Sequence, residues 1–325
     1  VTLTLPQQVK NYLNLATPNG AYIEAFVHAT PVTDQKDAVA HSIPVLAFYG
    51  NWSDPSMYDA YSYEDQLSGT DDRVPYLNEP TNLFTLNYGG KDGEFLFGGN
   101  PVAEEEAYLP QRNAFNGTGR DRFYRLGFTQ IRNAGNSMFL LRNRQTQEVY
   151  IQEELGSITG TFYNTNAGYW EDTQMVLDLN WGGEDANGYP LPEGTQVELS
   201  LVSAPEYYRN PDGTYDWSAL GNGAYLTAAF TIDNTAPTVS DVNLDTESGQ
   251  RLKVTASDNQ YVAAVALLNA AGTKVLSVQA PNQTEAGKGV ELELPVSGIS
   301  GNRFLLAVYD YARNVAKLDF LGVTE

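Results

Sequence analysis

Along this chain the apolar residues recur mostly every second position, in short runs broken by glycine, proline, asparagine and aspartate. From Gly20 to Ala29, Tyr22, Phe26 and His28 share one face while Ile23, Ala25 and Val27 share the other. That is the period of a half-buried strand. His41 to Gly50 predicts a partner, and its Pro44, which cannot donate to a ladder, places it at an edge or a strand start. Val1 to Val9 reads as a strand fragment. After Trp52 the sequence is irregular and acidic through Asp72, and short pieces resume at Asn82–Tyr88 and Glu94–Phe97.

A second unit starts near Ala107. Phe123–Ile131 and Ser137–Arg142 predict strands on either side of the turn cluster Asn133-Ala134-Gly135-Asn136. Gln174–Trp181 alternates, with Met175, Leu177, Leu179 and Trp181 on one face. Thr195–Val202 and Ala224–Asp233 complete this unit. Seven segments follow Asn234-Thr235-Ala236-Pro237: Val239–Leu244, Arg251–Ser257, Val262–Asn269, Val275–Gln279, Val290–Pro295, Arg303–Asp310 and Val315–Phe320. Short strands at this spacing predict a β-sandwich. No long segment carries a 3.6-residue period. The expected fold is all-β, a tandem of immunoglobulin or fibronectin type III-like β-sandwich domains. The expected boundaries are 1–106 (the C-terminal part of a first domain plus an acidic extension), 107–236 and 237–325.

Composition narrows the function. The 325 residues exceed one ordinary core and suit two or three sandwich-sized domains. Forty acidic side chains against 19 basic ones leave a net charge of −21, which repels nucleic acid and anionic lipid. With 42% hydrophobic residues the chain can build cores, and no apolar run approaches the roughly 18 residues of a membrane span. There is no cysteine, which excludes disulfides and thiol or Cys-zinc sites. The composition fits an extracellular protein, secreted or attached to a cell wall.

Candidate chemistry is sparse. His28 and His41 are the two histidines, each in or beside an apolar strand, and no Gly-x-Ser-x-Gly elbow accompanies them. The fragment is therefore expected not to be an enzyme. Zinc would need three or four clustered ligands. Asn87-Tyr88-Gly89-Gly90-Lys91-Asp92-Gly93 lacks the phosphate-loop spacing and reads as a hairpin turn. Asp71-Asp72, Asp185 with Asn187, and Asp258-Asn259 could offer oxygens to calcium, and in the third unit Asp258, Asn259 and Asp310 are the candidates. Glu104-Glu105-Glu106 reads as a solvated linker face. Tyr207, Tyr208, Tyr215 and Trp217 are candidates for an aromatic contact surface that stacks on sugar. Asp233, Asn234, Thr235 and Pro237 form a short inter-domain junction that proline stiffens.

The order of these pieces resembles the C-terminal half of the cell-envelope subtilisin-like serine proteases of Gram-positive bacteria, the lactocepin and C5a peptidase group. The resemblance rests on Asn19–Val27 with Ser42–Trp52, on Arg132–Asn136, and on Leu179-Asn180-Trp181 through Asp185, Gly188 and Pro192–Thr195. Phe230–Pro237 and Asp310-Tyr311-Ala312-Arg313-Asn314, similar to a "D-x-A-G-N" ending, complete it. It implies an accessory region lying downstream of a subtilisin-like catalytic domain in the same chain. Such a region positions that domain and contacts protein substrate, with no nucleic-acid partner and no membrane insertion in this segment. The resemblance also implies a calcium loop at the start of the second domain. Here Arg112 and Phe115 stand where oxygen donors are expected, so on sequence grounds a chelator should barely move the melting temperature. A surface adhesion or carbohydrate-binding module with no protease parent is the alternative.

Overall fold

The computed structural model describes residues 4–32, 39–58, 84–88, 91–96, 100–103, 110–119, 121–171, 173–177, 179–245, 250–301 and 303–321. Within them the protein is mostly β, with several sheets and one short α-helix.

That helix, Gln7–Ala16, replaces part of the strand expected over Val1 to Val9. Pro6 enters it with φ −59°, and Val9, Leu13 and Ala16 then recur at helical spacing, with Leu13 buried. The amide of Thr17 closes the last turn on the Leu13 carbonyl, and Pro18 follows. Strands Ala21–Ala29 and His41–Tyr49 then pair antiparallel, Phe26 opposite Pro44. Among the described residues this is a two-stranded sheet, so both strands are edges, as Pro44 requires. Tyr22, Phe26 and His28 are exposed while Ile23, Ala25 and Val27 are half-buried.

Among the described residues the second unit has two larger sheets, beside a small hairpin in which Phe162–Asn164 pairs with Tyr169–Glu171. One runs in the order Thr173–Leu177, Asp121–Gln130, Phe84–Tyr88, Lys91–Leu96. The other runs Ala114–Phe115, Tyr225–Ile232, Gln196–Ala204, Ala134–Asn143, Val149–Ile158. Their shared core contains Phe115, Phe123, Phe128, Phe139, Leu199, Phe230 and Trp181. Strand Ala134–Asn143 begins inside the expected turn cluster, and the break between it and Asp121–Gln130 is confined to Ile131, Arg132 and Asn133. Residues 51–58, 84–88 and 91–96, which the sequence pattern assigns to the first unit, build this one. Met57 and Tyr58 are in its core, the Met57 amide donates to the Gly223 carbonyl, and Phe84–Tyr88 pairs with Asp121–Gln130. Non-local pairing of this kind leaves no local trace in the sequence.

The third unit matches its sequence pattern strand for strand. Thr238–Asp245, Arg251–Ser257 and Val290–Pro295 form one sheet; Val275–Gln279, Val262–Asn269, Arg303–Asp310 and Val315–Leu321 form the other. Leu252, Val254, Val265, Leu267, Leu294, Phe304, Leu306 and Val308 fill the space between. No helix among the described residues is long and apolar enough to cross a membrane.

Candidate metal centre at the unit junction

Three strand ends converge where the second and third units meet. Along Arg251–Ser257, Leu252, Val254 and Ala256 face the core, and the same parity carries Asp258 inward just past the strand. Along Arg303–Asp310, Phe304, Leu306 and Val308 face the core and Asp310 completes the row. Asp233 directly follows Ile232, the last residue of the second unit's strand Tyr225–Ile232. Asp233 and Asp310 are 0% exposed and Asp258 is 6% exposed. One carboxylate oxygen from each lies within 4.8 Å of the others.

Few donors reach them. Asp310 accepts from the Asn314 main-chain amide at 2.7 Å and from its side-chain amide at 2.8 Å. Asp258 Oδ2 accepts from the Gln260 amide at 2.7 Å, and Asp233 Oδ1 from the Thr235 amide at 3.3 Å. Asp233 Oδ2 and Asp258 Oδ1 accept no hydrogen bond. Glu193 stands close by on the turn Pro192–Gly194 and adds repulsion to both Asp233 and Asp258. Glu193 and Asp233 can share a hydrogen bond only when one of them holds a proton; when both are ionised the contact is repulsive. The consequence is upward pKa shifts. Burial, then Asp258, drives Asp233 far above the usual carboxylate range. Burial raises Asp258 to about 6, and burial, then Asp233 and Asp258, raise Asp310 to about 9.

Magnitudes limit what this arrangement can be. Taking one ionised carboxylate out of water costs several kcal/mol even after relaxation. Three together rival the whole stability of a domain, about 5–15 kcal/mol. The charge must be neutralised by protons or by a cation.

The surrounding contacts tie the two units together. Asn314 Nδ2 also donates to the Asp233 carbonyl at 2.9 Å, and Asn116 Nδ2 donates to Asn314 Oδ1 at 2.6 Å. Glu193 accepts from the Asn234 amide at 2.8 Å and from Asn259 Nδ2 at 2.5 Å, while Asn234 Oδ1 accepts from the Gly117 amide. Arg112, from the second unit, is 4% exposed; it donates to Tyr311 Oη at 2.6 Å and to the Gln283 carbonyl at 2.7 Å. Its guanidinium lies over the Tyr311 and Tyr261 rings. Ala114, Tyr261, Ala263, Tyr311 and Ala312 form a small apolar core across the seam.

Thus Asp258 and Asp310 come together as candidates from the sequence, and Asp233, read there only as a junction residue, joins them. Its signal was its place directly after an alternating strand. Asn259 is exposed and spends its amide on Glu193. Arg112 fastens the seam, and Phe115 packs in the core against Phe123 and Trp181. Asp185 closes its own turn, accepting from the Asn187 and Tyr189 amides. Asp71, Asp72 and Glu104 to Glu106 lie outside the described residues.

No protein-family model and no curated protein sequence matches this chain. The junction must be read from its own chemistry.

The aromatic candidates separate into two pairs, Tyr207 with Tyr208 and Tyr215 with Trp217. Of the four, Tyr207 is exposed and the others are half-buried. Tyr208 hydrogen-bonds Asn51 and Ser53, and Trp52 stacks on Phe48, so this group docks the first hairpin onto the second unit. Tyr215 donates to Glu206 at 2.6 Å. His28 and His41 are both exposed on that hairpin.

Proposed function

We propose that this chain is a rigid, non-catalytic spacer. In this reading it is the accessory region of a secreted or cell-wall subtilisin-family serine endopeptidase, built of immunoglobulin or fibronectin type III-like sandwiches. It holds the catalytic domain at a set angle and contacts protein substrate away from the scissile bond. Binding energy gained at such a distance serves orientation rather than chemistry. The observation that carries the spacer reading is the closed seam: Arg112, Asn116 and Glu193 of the second unit each bond to the third. The protease parentage rests on the order of motifs along the chain. It is tested by the complete gene product, where a subtilisin domain upstream of Val1 is expected and its absence defeats the parentage.

Small-angle scattering of the whole chain tests the spacer. A single orientation of the second and third units should fit the profile, and a Gly/Ser replacement of Asn234-Thr235-Ala236-Pro237, which removes the stiffening proline and the Asn234 side chain that accepts from Gly117, should loosen it. A profile that only a broad mixture of angles can fit sinks the reading. A serine-directed fluorophosphonate should label no residue of this chain; stoichiometric labelling would contradict the non-catalytic assignment.

A further inference from the structure

We propose that Asp233, Asp258 and Asp310 bind one calcium ion, which bridges the second and third units. The inference rests on the spacer reading only in giving the ion a purpose; the site stands on its own geometry. Calcium takes oxygen ligands at about 2.3–2.6 Å, so two oxygens on one ion are at most about 5 Å apart. The three carboxylates meet that limit, each lying within 4.8 Å of the others. A second observation points to a ligand independently: Asp233 Oδ2 and Asp258 Oδ1 accept no hydrogen bond although their residues are 0% and 6% exposed. Buried carboxylate oxygens without donors are rare and need a partner.

The choice of ion follows from the donor set. All-carboxylate oxygen suits a hard cation; zinc favours nitrogen and sulfur. Magnesium keeps several waters and demands octahedral geometry, which three side chains closed in by protein do not supply. The ligands also come from both units, Asp233 ending the last strand of one and Asp258 and Asp310 ending strands of the other. Asn314 holds Asp310 and the Asp233 carbonyl in place as the ligating carboxylates are held in well-built sites. This reverses the chelator expectation drawn from the sequence, because the site sits at the seam and not in the loop where Arg112 and Phe115 displaced the donors.

Calorimetric titration of the chelator-treated whole chain with calcium chloride tests it, with magnesium chloride as a second arm. One calcium per chain with micromolar or tighter affinity is expected, at least tenfold tighter than magnesium. Thermal melts should drop by more than about 5 °C in EDTA relative to millimolar calcium. Asp258→Asn and Asp310→Asn should each abolish the calcium response while still folding, since each puts a neutral side chain of the same size in place of a buried carboxyl. No binding heat and equal melting in EDTA and calcium overturn the site, as does an unchanged calcium response in both variants. Scattering in EDTA and in calcium keeps the two readings apart: one fixed orientation without calcium binding leaves the spacer and removes the ion, and calcium binding with a broad spread of angles does the reverse.

Discussion

The side-chain amide of Asn314 donates to the main-chain carbonyl of Asp233 at 2.9 Å, joining the last turn of the third unit to the end of the second unit's final strand. The same amide nitrogen donates to Asp310 Oδ2, and Asn314 Oδ1 accepts from Asn116 Nδ2. One buried residue thus serves three partners on both sides of the seam. Asn314→Ala should therefore lower stability by about 2–3 kcal/mol, since truncation leaves several buried polar groups unpaired. Denaturant unfolding measures the loss. Asn314→Asp should cost more, because it replaces the donor with a further negative charge among carboxylates.

Arg112 fastens the seam from the other side. Its guanidinium reaches two acceptors while lying over two tyrosine rings. Arg112→Ala should cost about 2–4 kcal/mol and separate the melting of the third unit from that of the second in calorimetry. Arg112→Lys should not restore the loss, because a single ammonium cannot reproduce the planar fork. Full recovery by lysine would show that charge alone matters there.

In chelator the three aspartates make stability depend on pH in an unusual direction. Their folded pKa values lie above the ordinary range, to about 6 for Asp258 and about 9 for Asp310, with Asp233 also raised. The folded chain then holds more protons than the unfolded one above the ordinary carboxylate pKa near 3.8. Stability contributed by these groups is full below that value and is lost as pH rises towards 9. The facing groups, Glu193 and Asn314, do not reverse this: the first raises Asp233 and Asp258, and the second lowers Asp310 less than burial raises it. Chemical denaturation in EDTA should show stability falling from pH 5 to pH 8 by more than about 1.4 kcal/mol, the free energy of one pKa unit. The Asp310→Asn variant should show a shallower fall, and a slope of the opposite sign in wild type would refute the account.

Gly183 tests the turn-rich segment after Trp181. It has φ +100°, and a Cβ there would overlap the Gly117 Cα. Its carbonyl also accepts from the Leu191 amide, which closes the loop. Gly183→Ala should destabilise the second unit by about 2–3 kcal/mol through strain and backbone displacement. Gly188, with φ +82° and open space around its Cβ position, should lose only about 1 kcal/mol on the same change.

The third unit was legible in the sequence to within a residue or so at nearly every strand. Each of its strands is locally amphipathic or uniformly apolar, and each is bounded by its own turn residues. The helix Gln7–Ala16 was missed because Val1 to Leu5 alternates and masks the helical spacing that begins after Pro6. The place of residues 51–58, 84–88 and 91–96 in the second unit was not legible either, since pairing with Asp121–Gln130 is a long-range event and neither partner's pattern names the other. The candidate site divides in the same way. The sequence by itself determined that Asp258 and Asp310 are oxygen donors next to short strands of one unit; the strand register then turns both inward, because side chains alternate every residue. Only the tertiary structure decided that they meet Asp233 in one buried cluster. The end of one unit's strand and two ends from the next become neighbours through the packing of the two units, and no local sequence pattern encodes that distance.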